Sequence, residues 1–155
     1  MAARRPKYGL TPGLALDLSV PDENGVPWNF DLQERRDKAE LLFDEQRPLL
    51  LVGSPMCKEF SRLLALSEAK RDPAIVAKLY AQAMVHLEFV CRLYRKQIER
   101  GLYFLHEHPA TAKSWDESCI KEVLALSGVH RITADQCQLG QETEQGQPVR
   151  KRTGF

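Results

Sequence analysis

The sequence lacks several features that would assign a protein to a class at once. Its 22 basic residues are balanced by 21 acidic ones, and a formal net charge of +1 does not by itself indicate a nucleic-acid partner. The four cysteines are far apart and form no CxxC pair, which predicts free thiols in a reducing compartment. No apolar run approaches the roughly 18 to 20 residues of a membrane span. We therefore expect a soluble, intracellular protein that does not bind membranes.

The chain is long enough for one ordinary domain. With 155 residues, 43% of them hydrophobic, it can bury a core without disulfides or metals. Prolines and glycines among basic residues predict an extended arm at 1–13, and a polar run predicts a tail at 141–155. The domain itself is expected at 14–140. Short basic clusters at both ends are either solvated tails or a local nucleic-acid patch: Arg4, Arg5 and Lys7, and Arg150, Lys151 and Arg152.

Short apolar runs alternate with helical patterns along the chain. The runs at 14–20, 48–53, 102–106 and 129–133 predict strands, and a helix is predicted at 33–46. The longest predicted helix starts at the N-cap Asp72 and ends before Gly101, and a capping box at Ser114 opens another. This alternation predicts an α/β fold: a Rossmann-like three-layer domain with a mostly parallel sheet and helices on both faces.

Two chemically reactive side chains follow predicted strands. Cys57 comes shortly after the apolar run at 48–53, and Glu107 follows the run at 102–106. Ligands of open α/β sheets bind outside the carboxyl ends of the strands. We therefore expect the thiol and the carboxylate to converge on one cleft.

The segment around Cys57 resembles a motif of cytosine-C5 DNA methyltransferases, Gly-(Gly/Ser)-Pro-Pro-Cys-x-x-(Phe/Trp)-Ser. Met56 replaces the second proline, and the matching residues are Gly53, Ser54, Pro55, Cys57, Phe60 and Ser61. The chain is also similar to methyltransferase-like segments of retroelement polyproteins. Their Trp-x-x-Asp, Gly-Ser-Pro-x-Cys, Glu-His-Pro and Pro-x-x-Lys-x-Thr-Gly-Phe motifs fit residues 28–31, 53–57, 107–109 and 148–155.

The resemblance implies a nucleic-acid substrate and S-adenosylmethionine as cofactor. Cys57 would be the nucleophile that adds to cytosine C6, and Glu107 would hold N3 and the exocyclic amine of the flipped base. The further residues implied to contact the cofactor are Asp17, Asp31 and Pro55. Those implied to contact the substrate are Ser54, Ser61 and His108.

The sequence departs from the family in two places. No Phe-x-Gly-x-Gly loop precedes the first predicted strand, and no Gln-x-Arg-x-Arg segment follows the last one, where residues 135–138 stand instead. Since a glycine-rich turn lets the backbone approach the cofactor, we expect a piece of a larger site or a divergent derivative.

Other interpretations stay open. The domain could be a catalytically silent module that binds nucleic acid or a partner protein through the same edge. It could instead be a metal-dependent hydrolase using His106, His108 and a carboxylate, although no third ligand is evident and we predict no metal. Each residue also has a structural alternative: Cys57 as a core cysteine, Glu107 as a surface charge, and Asp17 and Asp31 as turn or cap residues.

Overall fold

The structure is a computed structural model that describes residues 11–61 and 71–155. Most of the predicted basic arm at 1–13, with Arg4, Arg5 and Lys7, lies outside the described residues. The chain divides into two compact units, the first ending at Pro48 and the second comprising Leu49–Phe155.

The first unit is organised by Asp22 and helix α1 (Gln33–Gln46), which forms where the sequence predicted it. The Asp22 carboxylate accepts hydrogen bonds from two backbone N–H groups of the following turn and pairs with Arg35 at 2.7 Å and Lys38 at 2.8 Å. These contacts, that of Lys38 most of all, hold the pKa of Asp22 well below its ordinary value. The same two cations lie over the buried Trp28 ring. Asp22 therefore ties the turn to the helix.

The strand predicted at 14–20 is wrong, because a turn interrupts the apolar run. The Asp17 carboxylate accepts hydrogen bonds from the Ser19 N–H at 2.8 Å and from the Ser19 hydroxyl at 2.6 Å. The Val20 N–H also donates to the Asp17 carbonyl at 3.0 Å. Such local bonds compete with strand pairing, so the run contains only an isolated bridge.

A parallel pair of strands forms the centre of the second unit. Strands β1 (Leu50–Gly53) and β2 (Tyr103–His106) pair with Gly53 opposite His106. One face of the pair packs its half-buried residues, Leu51 and Phe104, against the core. The other face is exposed and apolar, with Leu50, Val52, Tyr103 and Leu105.

Helix α2 (Pro73–Glu99) is the principal helix of this unit and confirms the prediction from its end signals. The Asp72 side chain accepts a hydrogen bond from the Ala74 N–H at 2.8 Å, and the left-handed Gly101 lies just past its end. Its core stripe consists of Ala83, Leu87, Cys91 and Tyr94. Contrary to the expectation from the sequence, α2 is by length and composition long and apolar enough to cross a membrane, and 22% of its apolar window is buried. Core helices of soluble proteins also meet this criterion.

A second sheet is antiparallel. It contains β3 (His108–Pro109), β4 (Thr133–Asp135) and β5 (Arg152–Gly154), with β5 in the middle. Helix α3 (Ser118–Leu124) packs against α2. Short 3₁₀ helices lie at Lys58–Phe60, Lys113–Asp116 and Gln136–Leu139.

The prediction of a Rossmann-like three-layer domain with a mostly parallel sheet is therefore wrong. The described residues form a two-stranded parallel sheet and a three-stranded antiparallel one. The strand predicted at 129–133 lies instead at Thr133–Asp135 and pairs antiparallel with β5, which belongs to the segment 141–155. Buried parallel sheets are covered on both faces, whereas one face of β1 and β2 is exposed here.

Candidate functional site

Ser54 and Glu107 meet where β1 and β2 end. Because the two strands are parallel and in register at Gly53 and His106, the residues that follow them leave the same edge. The Ser54 hydroxyl donates a hydrogen bond to the Glu107 carboxylate at 2.8 Å. The Glu107 N–H donates to the Gly53 carbonyl at 2.9 Å and fixes the backbone there.

The second carboxylate oxygen of Glu107 has two further donors. The Gln136 side-chain amide donates to it at 2.9 Å and the Lys151 ammonium at 3.3 Å. Neither residue was predicted to contact Glu107. Lys151 lies in the Pro-x-x-Lys-x-Thr-Gly-Phe motif, and Gln136 lies in the segment that replaces Gln-x-Arg-x-Arg, so both signals were in the sequence. The Glu107 side chain remains 28% exposed, so a ligand can reach it.

Cys57 lies in the loop that continues from Ser54. Its thiol is free and half-buried, and it precedes the 3₁₀ helix Lys58–Phe60. The Cys57 carbonyl accepts a hydrogen bond from the Phe60 N–H at 3.2 Å, which closes the turn, and the Ser61 N–H donates to Lys58 at 3.1 Å. Cys57 is thus neither sealed in the core nor fully exposed.

His108, predicted to contact substrate, is buried, and both of its ring nitrogens are hydrogen-bonded. Its Nε2 lies 2.9 Å from the Pro55 carbonyl, which can only accept, so Nε2 carries the proton. Its Nδ1 then accepts a hydrogen bond from the Ser114 hydroxyl at 2.5 Å. Burial lowers the pKa of His108 and favours this neutral form. Both ring nitrogens are engaged, which leaves no lone pair for a metal, and the described residues contain no group of three metal-binding side chains.

His106 points into the interior beside Tyr94. The Tyr94 hydroxyl lies 3.0 Å from Nδ1 of His106 and 3.3 Å from the Gly53 carbonyl. Trp115 packs edge-on against the imidazole at 5.1 Å between ring centroids. Burial, reinforced by the nearby His108, lowers the pKa of His106 to about 3. His106 is therefore a neutral core residue.

Each of the predicted cofactor contacts has hydrogen-bond partners within the chain. The Asp17 carboxylate is engaged by Ser19, and these bonds lower its pKa. Asp31 lies in the turn before α1, where its carbonyl accepts a hydrogen bond from Arg36. The carbonyl of Pro55, the third predicted contact, is taken by His108. S-adenosylmethionine binding stays a prediction of the resemblance.

A separate apolar cavity of about 260 Å³ lies beside His106. It is lined mainly by α2, β2 and α3 residues, and its lining includes neither Cys57 nor Glu107. The edge that holds Ser54 and Glu107 is therefore distinct from this cavity.

Comparison of the chain with protein-family models, curated proteins and solved structures finds no match. The methyltransferase resemblance rests on the motifs alone.

Proposed function

We propose that the second unit binds a cytosine base of a nucleic acid at the edge formed by Ser54, Cys57 and Glu107, and that Cys57 adds covalently to the ring. The observation that supports this most is the hydrogen bond from Ser54 to Glu107, which joins the two strand ends next to the Cys57 loop. The nucleophile and carboxyl residues of the motifs thus follow neighbouring strand ends.

The residues present suit an addition step. The Cys57 thiol would release its proton to water as the sulfur forms a bond to C6. The C5=C6 electron pair would move to C5, and this carbanion-like centre would then take a proton from water. An ionised carboxylate has about four acceptor positions, of which Ser54, Gln136 and Lys151 occupy three. The remaining position on Glu107 can accept a hydrogen bond from the exocyclic amine of the base.

Basic side chains near this edge suit a phosphate backbone. Lys58 directly follows Cys57 and is exposed, and Lys151 contacts Glu107. Arg150 and Arg152 flank Lys151 and are exposed, and Arg150 also lies 3.7 Å from the Asp135 carboxylate. A local patch of this kind is compatible with a net charge near zero.

The joint replacement of Arg150 and Arg152 by glutamine should weaken oligonucleotide binding about equally for all sequences. The slope of log K against log salt is negative, and each lost phosphate contact lowers its magnitude by roughly 0.7 to 0.9, so the slope should become less negative by about 1 to 2. Fluorescence anisotropy over a salt series measures it. Lys121→Gln, an exposed position on α3, is the control and should leave the slope unchanged. An unchanged slope in the double variant would place the phosphate contacts elsewhere.

The addition step is tested with a single-stranded oligonucleotide containing 5-azacytosine, which avoids the cost of flipping a paired base. When the thiol adds to C6, the ring nitrogen at position 5 takes a proton, so the adduct persists without a methyl donor. The full chain should give a covalent complex on a denaturing gel, and Cys57→Ala should abolish it. Cys137→Ala is the matched control, because Cys137 is also free and half-buried, and it should retain the adduct.

The two candidate functions predict different results in this experiment. A catalytically silent module would bind the oligonucleotide without forming an adduct. The three existing partners of Glu107 favour this second function, because they occupy most of the acceptor positions of the carboxylate. An adduct that survives Cys57→Ala would refute the proposed nucleophile. Absence of both binding and adduct would exclude both functions.

A further inference from the structure

The loop that presents Cys57 has lost a rigid element of its motif. Met56 stands where the motif has a second proline, and its side chain is exposed. A proline fixes φ, whereas methionine leaves the backbone free to rotate. Beyond the hydrogen bonds that close the turn after Cys57, contacts from outside the loop therefore contribute to the position of the thiol.

One imidazole contacts the chain on both sides of Cys57. Nε2 of His108 donates to the Pro55 carbonyl at 2.9 Å, two residues before the thiol. The same ring packs at 5.9 Å from Phe60, which is fully buried three residues after it. The same side chain thus contacts the loop at its beginning and its end, and Phe60 packs in addition against Tyr80 at 5.6 Å between ring centroids.

His108 is itself held in one orientation. The Ser114 hydroxyl donates to Nδ1, which leaves the proton on Nε2, where the Pro55 carbonyl requires it. The imidazole is only 1% exposed, so water does not compete for either nitrogen. A ring fixed by two hydrogen bonds can orient the loop that it contacts.

We propose that His108 is a positioning residue that fixes the Cys57 loop for attack on the base, in place of the missing second proline. It acts through Pro55 and Phe60 and does not touch the substrate, contrary to what the resemblance implies. The inference deepens the proposed function and rests on it for the chemical step.

Two variants of similar polarity separate positioning from folding. In His108→Gln the side-chain amide reaches the position of Nε2 and can still donate to Pro55. In His108→Asn the shorter amide ends near the position of Nδ1 and reaches only Ser114. Both remove the ring contact with Phe60, so their thermal stabilities should fall by similar amounts.

Two quantities are measured separately with the 5-azacytosine oligonucleotide: the Kd of binding and the rate of adduct formation. His108→Asn should lower the rate of adduct formation about tenfold or more at an unchanged Kd, and His108→Gln should restore most of that rate. His130→Asn, the same exchange at an exposed position, is the control. Equal losses of rate in both His108 variants, or no loss in either, would overturn the positioning role.

A second measurement does not depend on the proposed function. Amide exchange at Phe60 and Ser61, whose N–H groups close the turn after Cys57, should accelerate in His108→Asn and much less in His108→Gln. ¹⁵N NMR of the wild type should show the proton on Nε2 of His108. If the wild type forms no adduct, the proposed function fails, and exchange and tautomer still decide the inference. Unchanged exchange in His108→Asn, or the opposite tautomer, overturns it.

Discussion

Replacement of Gly53 by alanine should lower the free energy of unfolding by about 3 kcal/mol, the upper end of the usual cost of overpacking a core. A Cβ at this position would lie 1.9 Å from the Tyr94 hydroxyl oxygen and 2.8 Å from Cζ of the same ring. Tyr94 cannot move aside easily, because it is fully buried and stacks on Phe104 at 4.3 Å between ring centroids. The glycine that opens the Gly-Ser-Pro motif is thus explained here by the close approach of α2 to β1.

Urea unfolding measures this effect, and a double-mutant cycle with Tyr94→Phe identifies its cause. Tyr94→Phe alone should cost about 2 kcal/mol, because it removes the hydroxyl contacts with the Gly53 carbonyl and with Nδ1 of His106 and one hydrogen bond typically contributes about 1 kcal/mol. In its presence the cost of Gly53→Ala should decrease by 1 kcal/mol or more, because the closest atom is gone. Gly13→Ala is the control, since a Cβ there would meet nothing within 4 Å. Surface substitutions usually change the free energy of unfolding by less than about 0.5 kcal/mol. A change for Gly53→Ala within that range would show that Tyr94 is not fixed against β1.

The elements that the sequence predicted correctly have strong local signals. The apolar runs of β1 and β2 and the Asp72 cap of α2 all appear near their predicted places. The strand at 14–20 failed because the bonds between Asp17 and Ser19 form within three residues, whereas strand pairing needs a distant partner.

Ser114 shows how tertiary contacts override a local motif. Its spacing to Glu117 predicts a capping box, but its hydroxyl is buried and bonded to His108, and α3 begins only at Ser118. The strand that pairs with β4 could not be predicted from the sequence either, because β5 lies in a polar, basic segment, although its Thr153 is fully buried. Hydrophobicity alone does not identify a strand of this kind.

Part of the candidate site could be predicted from the sequence, and part of it depends on tertiary contacts. That Ser54 and Glu107 lie together follows from two parallel strands in sequence order, which end at one edge of a sheet. Gln136 and Lys151 reach Glu107 from the segment after β4 and the segment before β5. Their positions depend on antiparallel pairing between residues far apart in the chain, and no local pattern indicates that pairing.

The second large effect is a loss of stability in mild acid caused by His106. Its pKa is lowered from 6.5 to about 3 by burial, so between these values the unfolded chain binds a proton that the folded chain does not. The free energy of unfolding therefore falls as the pH drops from about 6.5 towards 3, and below 3 the slope from this residue vanishes. At pH 5 this amounts to about 2 kcal/mol. Burial of His108 acts in the same direction.

His106→Phe isolates this contribution, because phenylalanine keeps an aromatic ring between Tyr94 and Trp115 but cannot take a proton. The variant loses the hydrogen bond to Tyr94 and should be about 1 kcal/mol less stable at pH 7. Between pH 7 and pH 5, however, it should lose about 2 kcal/mol less than the wild type does. Urea titrations of both proteins at the two pH values test this, and carboxylates elsewhere cancel in the comparison. Equal losses in the two proteins would mean that His106 is protonated as readily in the folded chain as in the unfolded one, and hence that it does not lie in a dry core.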